Sequence, residues 1–174
     1  QAAVWIDPGT RPQAEMLGYT PVEPSAVLAT HLQEVVRQHA DELLTRDACQ
    51  HLVDELKKTS PKVVEELIPS QMKLAEVQQV LQLLLREQVP IRQLSLILET
   101  LGDYAGRFQK AGGISQSGVT LLTEMVRNRL SRTICTRLRD DEARMAIITL
   151  DPSLEDRIAA GIVDTDNGFV VKMS

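Results

Sequence analysis

A chain of 174 residues with 43% hydrophobic residues can bury a core, and with 3% aromatics that core must be built from Leu, Val, Ile and Ala. Nineteen Lys and Arg against 24 Asp and Glu give a formal net charge of −5, which excludes attraction of nucleic acid by the overall field. No run approaches the roughly 20 consecutive apolar residues that a membrane-crossing helix requires.

The first run, Ala2 to Ile6, is strand-like. Asp7-Pro8 reads as a cap with proline at the first helical position, followed by a short helix from Gln13 to Leu17 that Gly18 closes. Tyr19-Thr20-Pro21-Val22 is expected to be extended, because a residue before proline is pushed out of the helical region. A long helix then begins near Pro24 and Ser25. Its apolar positions Val27, Leu28, Leu32, Val35, Val36 and Leu43 step by three and four, with His39 on the same side, and predict one buried face.

Thr45 is placed to cap a further helix with Cys49, Leu52, Val53 and Leu56 inward. Ser60-Pro61 starts a short helix from Lys62 to Leu67. The strongest periodicity follows, Leu74, Val77, Val80, Leu81, Leu84 and Leu85, and ends at Val89-Pro90. Ile91, Leu94, Ile97, Leu98 and Leu101 form the next stripe. Residues 111–118 are small and polar and read as a linker or exposed loop. A long helix resumes over Val119, Leu122, Val126, Leu130, Ile134 and Leu138. Asp140-Asp141-Glu142 reads as a turn, Met145 to Leu150 as a strand, Asp151-Pro152 as the start of a short helix, and Asn167-Gly168 as a turn into a last strand reaching Met173.

The fold class expected is mainly α with small β elements: an α+β chain of several subdomains. Strand-like runs at both ends, without partners nearby in sequence, predict a fragment of a longer protein.

The chemistry of common catalytic sites is missing from the pattern. No GxxxxGK[ST] or GxGxxG segment could cradle phosphate. His31 and His39 lie two turns apart, too far to share a metal, and Cys49 and Cys135 stand in no ligand spacing, so free thiols are expected. Asp164 to Gly168 has a faint calcium-loop look, but its glycine is one position early and the glutamate at position twelve is missing, so a hairpin turn is the better reading. Asp140, Asp141 and Glu142 are read as a solvated loop rather than an acid–base pair. Arg127, Arg129, Arg132, Arg137 and Arg139 would suit a nucleic-acid reader only if clustered on one face. They spread around the helix with acids beside them, so a solvated face or subunit contact is expected. The composition therefore predicts an interaction module with no enzymatic activity, no cofactor and no metal.

Four blocks carry a resemblance. Ala3-Val4-Trp5-Ile6, Gly18-Tyr19-Thr20-Pro21-Val22-Glu23-Pro24-Ser25 and Ala29-Thr30-His31-Leu32 resemble an "AVWI … GYTVVDPSTVIATHL" signature. Residues 80–87, 91–94 and 97–101 are similar to "VLQxLLxExVxIRDLxTILETL". Residues 121–127 are similar to "LLTEYVR", and Leu150 to Glu155 form the loosest block. The family is that of the FlhA flagellar type III secretion export-gate proteins, within the wider FHIPEP group that includes the injectisome paralogues. Gln93 departs from the family's aspartate, Pro21 and Glu23 replace Val and Asp, and Gly112-Gly113 lengthens a connector.

The resemblance implies a piece of the cytoplasmic C-terminal region, at the cytoplasmic face of the bacterial inner membrane and attached through a segment outside this chain. It implies residues 1–44 as part of a first α/β subdomain, 45–108 as a helical, winged-helix-like subdomain that makes ring contacts, and 109–174 as a partial C-terminal α/β subdomain. The implied partners are export chaperone–substrate complexes, other export-apparatus components and eight further copies in a nonameric ring, with no nucleic acid. The implied docking dimple includes Thr30, with Tyr19, Pro24, Ser25 and Val27 beside it. From the residues alone, a mid-helix threonine at position 30 is equally expected to bond the carbonyl one turn back. An injectisome paralogue is the alternative, and a winged-helix nucleic-acid binder a more distant one.

Overall fold

The computed structural model describes residues 3–110, 113–165 and 168–172. Ala2, Ala111, Gly112, Asn167 and Met173, on which parts of the expected strand, linker and final hairpin rested, lie outside the described residues. The chain separates into two compact units, one ending at His39 and one beginning at Ala40.

The first unit holds a 3-10 turn at Pro8–Thr10, helix α1 (Arg11–Met16) and helix α2 (Pro24–Gln38). Residues 3–6 form no strand, contrary to expectation: a strand is defined by its ladder, and no neighbour among the described residues supplies one. α2 ends at His39, whose N–H still bonds Val35 O at 3.1 Å, instead of running to Leu43.

The second unit is helical. It contains α3 (Ala40–Leu43), α4 (Arg46–Thr59), α5 (Pro61–Leu67), α6 (Leu74–Arg86), α7 (Leu94–Phe108), α8 (Gln116–Arg129), α9 (Ser131–Leu138) and α10 (Pro152–Gly161). Thr45 caps α4 as its pattern suggests, accepting Ala48 N–H at 3.2 Å, and Pro61 and Pro152 open α5 and α10. The i, i+3, i+4 stripe of α6 buries Val77, Val80, Leu81 and Leu84 completely against α4 and α8. α7 contributes Ile97, Leu98, Leu101 and Ala105 and packs between α5 and α8, which brings in Val119, Leu122 and Val126. Each fully buried Val, Leu or Ile side chain of this set is worth about 1.5–3 kcal/mol. Cys49 is buried in the same core and Cys135 half-buried on α9, both as free thiols; burial pushes the Cys49 thiol up from its ordinary pKa.

Polar groups fix the joints. Gln78 Nε2 donates to Leu44 O at 2.7 Å, and Gln82 Nε2 reaches both Asp41 O and Leu44 O at 3.2 Å. Arg86, one turn further along α6, pairs with the Asp41 carboxylate at 3.2 Å. One face of α6 thus satisfies the carbonyls left open where α3 ends.

The segment expected to be a loose linker is ordered where described. Strands β1 (Gln109–Lys110) and β2 (Gly113–Ile114) pair antiparallel, Ser115 accepts Gly118 N–H at 3.2 Å, and α8 starts at Gln116. The long helix expected to run on through Leu138 breaks at Leu130. After α9 the chain from Asp140 to Leu150 forms no strand among the described residues, with Ile147 and Ile148 exposed. Strands β3 (Ile162–Thr165) and β4 (Gly168–Val171) form the final hairpin, in register Val163↔Val170 and Thr165↔Gly168. Mainly helical content with few, short strands matches the fold class expected from sequence.

Candidate functional site

Gly18 decides how the chain enters the candidate site. Its φ of 82° lets α1 close with Gly18 N–H on Glu15 O at 3.0 Å and Tyr19 N–H on Ala14 O at 3.1 Å. This paired closure needs a left-handed residue after the helix, which glycine adopts without a Cβ clash. Tyr19 leaves it 70% exposed. Arg11, at the start of α1, pairs with Glu15 at 3.1 Å and with Glu23, the residue that caps α2. The two helix starts are therefore tied by one guanidinium, and both carboxylates raise its pKa.

Pro24 opens α2 with its φ already helical. At about 100° per residue, Leu28, Leu32, Val35 and Val36 line one stripe of α2, with Pro24 and Ser25 at its head. Thr30 falls on the opposite flank, one turn from Val27 and one from Glu34. The structure therefore brings Val27 and Thr30 together, and places Ser25 across the helix from Thr30.

The stripe is not buried. No residue of α2 is: Leu28 is 67% exposed and Leu32 60%. A unit of one short and one longer helix has too little surface to enclose its own apolar stripe, so the expected buried face is corrected to an exposed one. Periodicity identifies Leu28, Leu32, Val35 and Val36 as one face but predicts it inward, so it does not mark them as site residues.

Thr30 also differs from the threonines of the second unit. Thr100, Thr123 and Thr136 each donate to the carbonyl four residues back, at 2.7, 2.9 and 2.7 Å. The Thr30 hydroxyl makes no hydrogen bond among the described residues, so the backbone role expected of it is not seen. Its carboxylate neighbour is occupied: Glu34 accepts Arg37 Nη2 at 2.9 Å and Gln38 Nε2 at 2.8 Å. The Arg37 hydrogen bond, with that of Gln38 behind it, holds Glu34 below the usual carboxylate range. Thr30 presents an unengaged hydroxyl beside Val27.

The arginine-rich helix resolves into two groups. Arg127 pairs with Glu124 at 2.9 Å and Glu87 at 3.2 Å, and Arg137 donates to Gln88 O at 2.5 Å. Both hold the turn between α6 and α7. Arg129, Arg132 and Arg139 are exposed. Asp140 accepts main-chain N–H groups of Arg144 at 2.8 Å and Glu142 at 3.0 Å, which lowers its pKa as an internal turn anchor. Among the described residues no group of three or more His, Cys, Asp or Glu is arranged to hold a metal.

The sequence matches the FHIPEP family over residues 1–174. The chain belongs to the FHIPEP family. It is 37% identical over 166 residues to the Flagellar biosynthesis protein FlhA of Bacillus subtilis (strain 168), covering 95% of this chain and 23% of that protein. It is 41% identical over 163 residues to the protein of the same description from Treponema pallidum (strain Nichols), covering 94% of this chain and 22% of that protein. The chain thus spans about a quarter of the length of these FHIPEP relatives. Its fold is similar to that in the structure of the Chlamydia pneumoniae CdsV and CdsO protein complex, with a TM-score of 0.78 at 22% identity, over 98% of this chain and 47% of that one. The cryo-EM structure of nonameric EPEC SctV-C gives a TM-score of 0.72 at 23% identity, over 96% of this chain and 49% of that one.

Proposed function

We propose that this FHIPEP chain is part of the cytoplasmic platform of a flagellar type III export gate, and that it docks chaperone–substrate complexes without catalysing a reaction. The observation that carries the reading is α2: an exposed apolar stripe with an unengaged threonine beside Val27, in a family whose relatives are described as flagellar biosynthesis proteins. Tyr19, Pro24, Ser25, Val27 and Thr30 are the docking residues of this reading, and Leu28, Leu32, Val35 and Val36 offer a second exposed face across α2 from Thr30. An exposed stripe of this kind is a common mark of a protein-binding surface.

The same reading places the whole protein at the inner membrane, anchored by a segment outside this chain, with residues 45–108 contributing to contacts between copies. It takes support from the fold likeness to a structure described as nonameric and to one described as a complex with a second protein. The division into pieces at 1–44, 45–108 and 109–174 belongs to this reading. An injectisome role is the second reading, favoured by the fold likeness to CdsV and SctV-C; identities of 37% and 41% to flagellar proteins against 22% and 23% favour the flagellar one.

The test is a pull-down of flagellar chaperone–substrate pairs by the intact cytoplasmic half, comparing wild type with Thr30→Met and Leu32→Ser. Loss of capture with unchanged helicity is expected for both. Equal capture by all three proteins would remove α2 from the docking surface.

A further inference from the structure

The arginines that do not serve the fold form a surface of their own. Arg129 at the end of α8, Arg132 and Thr136 on α9, and Arg139 just past the end of α9 are spaced at i, i+3, i+7 and i+10. At the break between these helices Leu130 N–H still bonds Val126 O at 2.9 Å, and Leu130 O accepts Ile134 N–H at 3.0 Å. These bonds carry the chain across the break, where Leu130 has ψ 3°, and all four residues are exposed. Thr133 Oγ1 donates to Gln93 Oε1 at 3.3 Å, which sets exposed Arg92 beside the same surface.

These arginines form no ion pair among the described residues, although acids stand close in sequence. Four of those acids are taken, and Asp141 stands beside Arg139 without an ion pair among the described residues. Arg127 occupies Glu124 and Glu87, and Arg144 occupies Asp140 at 3.2 Å and Glu142 at 2.5 Å. Two arginines neutralise these four carboxylates, and the arginines left over outnumber Asp141 along a basic stripe about 15 Å long, by the 1.5 Å rise per residue.

We propose that this stripe docks an acidic helical segment of a partner protein. Arginine suits such a contact because its planar fork meets a carboxylate with two parallel hydrogen bonds. A helix carrying carboxylates at i, i+3, i+7 and i+10 would repeat the spacing of the stripe. A polypeptide is favoured over nucleic acid because a duplex rewards many phosphate contacts at once, whereas this stripe is short and set on a chain of net charge −5. The same negative balance disfavours an anionic lipid surface, which would meet the whole face of the protein. The site lies on the second unit and does not depend on the α2 surface.

The test measures fluorescence anisotropy of a labelled helical peptide with glutamates at i, i+3, i+7 and i+10, at about 50 mM salt, against the wild-type chain and Arg132→Glu/Arg139→Glu. Binding that weakens at least tenfold in the variant, and weakens for a peptide of the same composition with its glutamates respaced, is the expected result. Far-UV circular dichroism confirms that the variant folds; if it does not, Arg132→Gln/Arg139→Gln takes its place with the same expectation. Undetectable peptide binding to the wild type, or equal binding by wild type and variant, would overturn the proposal. So would tighter binding of a 20-bp duplex or of phosphatidylserine vesicles than of the peptide. Concentration-dependent self-association in sedimentation that vanishes in the variant would assign the stripe to a second copy instead.

Discussion

Glu76 Oε1 accepts the main-chain N–H of Ile114 at 2.8 Å, while Glu76 Oε2 accepts that of Lys73 at 2.7 Å. One buried carboxylate therefore starts α6 and holds strand β2 against it. Gly113 is the residue that permits this approach: its φ is 120°, and a Cβ there would lie 2.5 Å from Glu76 Oε1. Glu76→Ala leaves two N–H groups without this acceptor and is expected to cost about 1–3 kcal/mol in urea denaturation. Gly113→Ala should cost a similar amount through backbone strain and contact. The double variant should cost less than the sum, because each change already breaks the same joint. Strict additivity in the cycle would refute the coupling.

Gln88 offers the opposite sign. It closes α6 with a φ of 58°, its N–H on Leu85 O and that of Val89 on Leu84 O, both at 2.8 Å. A side chain in the left-handed region carries a penalty of about 1–2 kcal/mol, part of which glycine returns through its own chain entropy. Gln88→Gly is expected to stabilise the second unit by about 0.5–1 kcal/mol, read as a raised denaturation midpoint. A lowered midpoint would mean that the Gln88 side chain contributes something the hydrogen bonds do not reveal.

Two leucines on strongly amphipathic helices should respond very differently. Leu98 on α7 is fully buried, and its truncation to alanine is expected to cost about 2–5 kcal/mol. Leu32 is 60% exposed, and its truncation should shift stability by no more than about 0.5 kcal/mol. A large loss for Leu32→Ala in thermal melts would show that α2 is covered in solution.

Four carboxylates with lowered pKa values contribute to the acid response. Arg37 lowers the pKa of Glu34, Lys58 that of Glu55, the Arg144 main-chain N–H that of Asp140, and the Ser153 side chain that of Asp151. Folded values below the unfolded ones mean that their stabilisation is present above the ordinary carboxylate range, about pH 4, and is lost as pH falls through the folded values. Helical content followed from pH 7 to pH 2 should therefore decline only on the acid side of about pH 4, less steeply in 0.5 M salt. Asp140→Asn/Asp151→Asn should flatten that decline, and an unaltered acid limb in the double variant would contradict the assignment.

Much of the second unit could be read from the chain. The Leu and Val spacing of α6, the Thr45 cap and the Ser60-Pro61 and Asp151-Pro152 starts carry their own local physics, and each produced the element expected. The breaks at His39 and Leu130 carry no proline or glycine, so a continuous stripe passes over them. The strands β1 and β2 are two residues each, too short for any alternation to show. Periodicity also reports which side chains share a face and is silent on what covers that face, so it predicts the α2 stripe buried although nothing among the described residues covers it. Thr30 is a plainer case: a threonine on the polar flank has no signature of its own, and a resemblance to related proteins was needed to single it out.

The turn from Glu87 to Val89 is a surface connection, and surface connections ordinarily absorb inserted residues with little penalty. This one is gripped from outside, at Glu87 by Arg127 and at the Gln88 carbonyl by Arg137, while Val89 is sunk into the core. A single added residue would pull all three out of reach together. Among related sequences its length should therefore be as invariant as a core position, with the two arginines changing only when the turn does.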